Sequence, residues 1–250
     1  MKKTIAASLA VVAAIAVGAV EAEPRSGIDY AGAAVRAMQA DDAQNPGRLW
    51  IARGAALWRD GANACASCHG DAAASMKGVA ARLPAWSARE ARVVNLEDRI
   101  NGCRVERQGR PALARESEDM NALTAYVATQ SRGMPVDVKV DGAAHAAFER
   151  ARDFYHMRRG QMNLACANCH EQNAGKRLLV ETISEGHGNA FPAYRLEWQT
   201  VGSLQRRLRA CLFGIRATLP PDGAQVLTEL ELYLGWRANG LPIEAPGVRR

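Results

Sequence analysis

Cys65-Ala66-Ser67-Cys68-His69 and Cys166-Ala167-Asn168-Cys169-His170 are two copies of the pattern Cys-x-x-Cys-His in a chain of 250 residues. In this pattern the two thiols add to the vinyl groups of a c-type haem, and the adjacent His is placed as an axial iron ligand. At this chain's Cys and His frequencies, one chance match arises on the order of 0.003 times. A thioredoxin-like redox pair does not need a His after its second Cys in both places. A zinc site built from both Cys pairs leaves the two His residues unexplained. The motifs therefore predict two covalently bound haem c groups, held by Cys65 and Cys68 and by Cys166 and Cys169, with His69 and His170 on the irons.

The length suits two domains of roughly 100 residues each. Apolar residues are 48% and charged residues 23%, a globular composition. Aromatics are only 6%, thin for two cores unless a flat apolar group such as a porphyrin fills each one. The formal charge of +6 comes without any long Lys/Arg run, which argues against a nucleic-acid partner. At the N-terminus, Lys2 and Lys3 precede an apolar stretch from Ile5 to Val20 and then Val20-Glu21-Ala22. This is the pattern of a secretory signal peptide over residues 1–22, cleaved near Ala22. The stretch is Ala-rich and shorter than the ~20 apolar residues of a spanning helix. The expectation is a mature protein free of the membrane, in the oxidising periplasm.

The sequence after each haem motif repeats. Leu83-Pro84-Ala85-Trp86 corresponds to Phe191-Pro192-Ala193-Tyr194, and Leu96-x-x-Arg99-Ile100-x-x-Cys103 to Leu204-x-x-Arg207-Leu208-x-x-Cys211. Leu123-x-x-Tyr126 matches Leu230-x-x-Tyr233, and Met134-Pro135-Val136-Asp137 matches Leu241-Pro242-Ile243-Glu244. Phe148, Ala151 and Tyr155 share one helical face ahead of the second motif. Ser117 and Asp222 are placed to cap the helix that closes each copy, with Gly133–Pro135 and Gly240–Pro242 as the stops. No stretch sustains strand alternation. The expected fold is all-α: two tandem class I-like cytochrome c domains related by internal duplication. An N-terminal extension, 23–44, leads into domain 1 at 45–137 and domain 2 at 138–250, with 133–142 as linker.

Two cysteines remain. By count, a spare pair in an oxidising space predicts a Cys103–Cys211 disulfide. The repeat points elsewhere, because each occupies the same slot of its own copy, a place that faces each haem. Met134 has Leu241 as its counterpart, and His145, His156 and His187 have none and take surface or capping roles. The sixth ligand common to both copies is then a cysteine sulfur, which lowers the reduction potential. Arg207 lies one turn before Cys211. From Gln199 to Pro221 there is no Asp or Glu, while Arg206, Arg207, Arg209 and Arg216 all fall within it. Such a field favours thiolate and attracts an anion. Around Cys103, Glu97, Asp98 and Glu106 dilute the charge of Arg99.

With these residues in hand, the chain resembles the SoxA family, subunits of the SoxAX cytochromes of bacterial sulfur oxidation. The resemblance rests most on Gly188-Asn189-Ala190-Phe191-Pro192-Ala193-Tyr194-Arg195, on Ser203–Cys211, and on the tail Leu232-Tyr233-Leu234 to Gly240-Leu241-Pro242-Ile243-Glu244-Ala245-Pro246. It implies an L-cysteine S-thiosulfotransferase: oxidative coupling of thiosulfate to a cysteine thiol of the carrier SoxYZ, electrons leaving through the monohaem partner SoxX to a soluble cytochrome c. It also implies that His69 and Cys103 ligate the first haem and His170 and Cys211 the second. Cys211 is then a catalytic persulfide, and Arg207 contacts substrate. Two alternatives are a low-potential electron-transfer cytochrome and a thiosulfate dehydrogenase forming tetrathionate. The acid-free arginine run favours a substrate over mere electron transfer, and the tail motifs favour the transferase over the dehydrogenase.

Overall fold

The computed structural model describes residues 23–250; the expected signal peptide, 1–22, lies outside the described residues. After α1 (Ala33–Ala40) and α2 (Arg48–Trp58), the first haem motif is itself a short helix, α3 (Cys65–His69), followed by α4 (Ala72–Ser75). A hairpin of β1 (Ala85–Ser87) and β2 (Arg92–Val94) leads into α5 (Leu96–Glu106), and α6 (Glu118–Thr129) closes the half. The second half runs from α7 (His145–His156) through the haem-motif helix α8 (Cys166–His170) to a small hairpin, β3 (Arg177–Leu178) and β4 (Glu181–Thr182). Next come β5 (Ala193–Arg195), β6 (Thr200–Gly202), α9 (Leu204–Gly214), α10 (Gln225–Arg237) and the tail strand β7 (Gly247–Arg249).

The molecule is helix-rich, but it is not purely α. The β1–β2 and β5–β6 hairpins pair antiparallel in matching registers, Ala85 opposite Val94 and Ala193 opposite Gly202. In the second half β7 adds to β5 in parallel, making three strands. These strands are two or three residues long, too short for period-2 alternation to register in a sequence window.

Local signals account for most helix boundaries. Ser117 Oγ accepts from Met120 N–H and starts α6. Asn95 and Ser203 do the same for α5 and α9, each accepting from the third helical N–H. Asp222 does not cap α10: the helix starts at Gln225 after Ala224, and the Asp222 carboxylate pairs instead with Arg209 at 2.9 Å. Phe148, Ala151 and Tyr155 are buried on one face of α7, as their spacing predicts.

Residues 133–142 are no free linker. Val136 N–H donates to Leu241 O and Ile243 N–H to Met134 O, both at 2.9 Å, and Val136 and Val138 are buried. One apolar core runs through the segment, joining Ala81, Val93 and Ala128 of the first half to Leu230, Leu232 and Leu234 of the second. A buried polar seam adds Asn95 Nδ2 donating to Glu231 Oε2 (2.7 Å) and Asn121 Nδ2 to the Val201 carbonyl (3.1 Å). The extension ahead of α2 is clamped to the second half, where Gln39 Oε1 accepts from Val248 N–H and Tyr30 donates to Glu185. No helix among the described residues is long and apolar enough to cross a membrane.

Candidate functional site

In the first half, α2 and α6 form the wall against which the motif helix sits. They approach so closely that a Cβ on Gly54 would lie 2.2 Å from the Ala122 carbonyl oxygen, so only glycine fits there. Trp58, at the end of α2, donates from Nε1 to the Gly70 carbonyl and sets its ring 5.8 Å from that of His69. A cavity of about 500 Å³ is lined by Cys65 and His69, by Cys103, Arg99 and Leu96 of α5, and by Leu123 and Val127 of α6. That volume falls within the ~300–1,000 Å³ of cofactor pockets. A mostly apolar slot with the motif His and a thiol among its walls fits a haem.

In the second half, α8 brings Cys166, Cys169 and His170 to the same neighbourhood as Cys211 on α9. His170 Nδ1 lies 2.7 Å from the Ser184 carbonyl oxygen. A carbonyl only accepts, so Nδ1 carries the proton and Nε2 keeps its lone pair free for a metal. Gly186, at φ +77°, passes so close to the imidazole that a Cβ would sit 2.8 Å from its Cγ, and the ring is held in place. The donor set here also fits a haem: two thiols, an imidazole in the ligating tautomer, and the Cys211 sulfur beside them.

All six cysteines are free, so the disulfide expected from count does not form. Cys103 and Cys211 instead face the haem motifs of their own halves. Their chemistry differs. Burial pushes the Cys103 thiol up, and the neighbouring Cys65 and Cys68 add to it. Burial also pushes Cys211 up, but the His170 imidazole beside it and the charges of Arg207 and Arg195 outweigh it and hold the thiol below its ordinary range.

The arginine run resolves into separate roles. Arg209 is held by Asp222 and the Pro220 carbonyl, Arg206 lies over the Trp198 ring, and Arg216 donates to Gln161. Arg207 has no ion pair or side-chain hydrogen bond among the described residues, and its charge reaches Cys211. In the first half, Glu97 and Asp98 do not dilute Arg99 at the cavity. Glu97 is buried in the seam between the halves and Asp98 is paired with Arg92 and Arg115; of the three acids, Glu106 alone acts on Cys103.

Two residues of the site escaped sequence reasoning. Arg195 is buried beside Cys211, although its sequence neighbourhood, Tyr194-Arg195-Leu196, carries no charge pattern. His187 takes no surface or capping role; it is 8% exposed, contacts Glu185 through Nε2 and has no partner for Nδ1 among the described residues. His145 and His156 are exposed as expected.

Two Cys-x-x-Cys-His helices, each with a further cysteine in its neighbourhood, define a c-type cytochrome, a protein with covalently bound haem c. Residues 53–136 match the family model described as SoxA/TsdA, cytochrome c domain. The chain is 40% identical over 233 residues to the L-cysteine S-thiosulfotransferase subunit SoxA of Pseudaminobacter salicylatoxidans, covering 91% of this chain and 82% of that protein. It is 36% identical to the SoxA subunit of Rhodovulum sulfidophilum, covering 91% and 80%. The crystal structure of SoxXA from P. pantotrophus superposes with a TM-score of 0.87 at 35% identity, covering 91% of this chain and 87% of that one. The chain belongs to the SoxA family.

Proposed function

We propose that this chain is the substrate-converting subunit of an L-cysteine S-thiosulfotransferase, with two haem c groups in halves that arose by duplication, working in the periplasm beside a SoxX partner. Relatives of that name match it over 91% of its length, and the superposed structure is a SoxXA complex. The observation that carries the site is Cys211 set against His170, with the unpaired Arg207 one helical turn away.

In this proposal His69 and Cys103 hold the first iron, and His170 and Cys211 the second. When bound, the second haem supplies a low-potential, thiolate-ligated centre that accepts electrons. Arg207 seats the thiosulfate dianion beside the Cys211 sulfur. Cys211, carried as a persulfide, links transiently to thiosulfate and passes it to the cysteine thiol of SoxYZ by exchange. The net change is R–SH + S₂O₃²⁻ → R–S–S–SO₃⁻ + H⁺ + 2e⁻. One sulfur–sulfur bond forms, the carrier thiol loses its proton, and the two electrons leave through SoxX to a soluble cytochrome c.

The test is turnover with purified SoxX, SoxYZ and cytochrome c. Cys211→Ala abolishes coupling, whereas Cys103→Ala retains much of it. Unchanged turnover in Cys211→Ala removes the enzymatic role. Peptide mass spectrometry of fresh protein finds one additional sulfur on Cys211; an unmodified thiol alone refutes the persulfide.

A further inference from the structure

Arg195 sits on β5, the middle strand of three, with β6 on one side and β7 on the other, so its backbone is fixed. Its side chain is 8% exposed. A guanidinium offers five N–H donors; here one nitrogen donates to Glu197 Oε2 at 2.9 Å, while the buried Nε has no partner among the described residues. The Trp198 ring centroid lies 5.0 Å from the Arg195 guanidinium carbon and 4.3 Å from that of Arg206, so two cations share a single ring. Arg207 and Cys211 are both near enough for their charges to act on Arg195. The carboxylate answering this cluster is Glu197, whose side chain is 54% exposed.

A buried, incompletely bonded cation beside a second cation is costly, and an anion that pairs with both removes the cost. The matching hairpin of the first half has no such arrangement: Ser87 stands where β5 has Arg195, and Glu90 where the second half has Trp198.

We propose that Arg195 is a second cationic contact for the substrate, gripping the sulfonate end of the dianion together with Arg207, with Glu197 as the resting counter-ion that the substrate displaces. This inference rests on the thiosulfate-coupling function above. Glu197 lies at the rim and rehydrates readily when it leaves, whereas Arg195 cannot. Holding the oxygens on two guanidinia leaves the terminal sulfur of thiosulfate for Cys211.

The experiment uses the haem-loaded chain in its complex with SoxX, assayed with SoxYZ and thiosulfate. Arg195→Gln raises KM for thiosulfate about tenfold or more, the loss expected for a charged hydrogen bond, and lowers kcat far less. The reduction potential and absorption spectrum of the second haem stay as in the parent. Arg195→Lys, which keeps the charge without the fork, falls between. Glu197→Gln lowers KM, because the competing carboxylate is gone. A shifted potential with an unchanged KM in Arg195→Gln assigns the residue to a haem propionate and overturns the inference, as does a Glu197→Gln KM equal to the parent's. Absence of coupling by the parent complex is a different failure, that of the proposed function itself.

Discussion

Cys103 and Cys211 are each the eighth residue of an eleven-residue helix, each helix capped by the residue before it and each preceded by a hairpin of the same register. The scaffolds match, and the charges laid on them do not. Where the first half has Ser87, Arg89, Glu90, Asp98 and Arg99, the second has Arg195, Glu197, Trp198, Arg206 and Arg207. The first set is neutral and the second carries two net positive charges. Arg99 keeps a distant ion pair with Glu90 at 3.9 Å; the position of Glu90 in the second half is Trp198, which cannot neutralise Arg207. One backbone thus presents a thiol with a raised pKa in one half and a thiol with a lowered one in the other. The reactive slot is therefore made by the side chains laid on the scaffold, Arg195 on the hairpin and Arg207 on the helix, and not by the backbone that the halves share.

Removing the arginine one turn before each cysteine separates the two halves most strongly. Arg207→Ala lowers kcat/KM for thiosulfate coupling by about 100-fold or more, the size of losing a charged contact to the reacting anion. Arg99→Ala changes it less than about threefold. Equal losses in the two variants, measured in the reconstituted assay, would mean that the halves are equivalent and the asymmetry is decorative.

Much of this was legible in the chain. The haem motifs, the Ser117 cap, the α7 face and the paired slots of Cys103 and Cys211 are local patterns, and local patterns survive reading. What failed was direction. At ~100° per residue, Glu97 and Asp98 lie about 120° and 140° round the helix from Cys103, so Glu97 serves the seam between the halves and Asp98 pairs with Arg92 and Arg115. Arg206 is likewise turned from Cys211 and rests on Trp198. Arg195 was hidden because its burial depends on β7, more than fifty residues later. Residues 133–142 look like a linker by Gly133, Pro135 and Gly142, yet they pair with 239–243 at long range.

A second contrast concerns how each half builds its wall. The first brings α2 and α6 together at Gly54, backbone against backbone. The second separates α7 and α10 with rings, Phe148 and Tyr155 lying 5.5 and 5.1 Å from Tyr233. Gly54→Ala therefore forces a methyl into the Ala122 carbonyl and costs about 2–4 kcal/mol. Thermal unfolding registers this as a fall in Tm of roughly 5–15 °C. A variant as stable as the parent would show that the helices have slack between them.

The seam supplies the smallest and most pH-dependent effect. Matching helix positions offer it Glu97 from α5 and Gln205 from α9, and both approach Glu231 on α10. Burial, reinforced by the charge of Glu97, pushes the Glu231 carboxyl up to about 8, against the pull of Asn95, Gln205 and Arg115. The folded protein therefore keeps a proton on Glu231 that the unfolded chain releases near pH 4.5. Below that pH neither state is penalised. As the pH rises from about 4.5 toward 8 the unfolded state binds fewer protons, and stability drains away through this window. Glu231→Gln keeps an acceptor for Asn95 and removes the ionisation. It is expected to match the parent near pH 4.5 and to exceed it by about 1–3 kcal/mol at pH 8. Denaturant melts at both pH values measure the gap; one that does not widen with pH would mean that Glu231 is ionised in the folded seam, its charge met by Arg115.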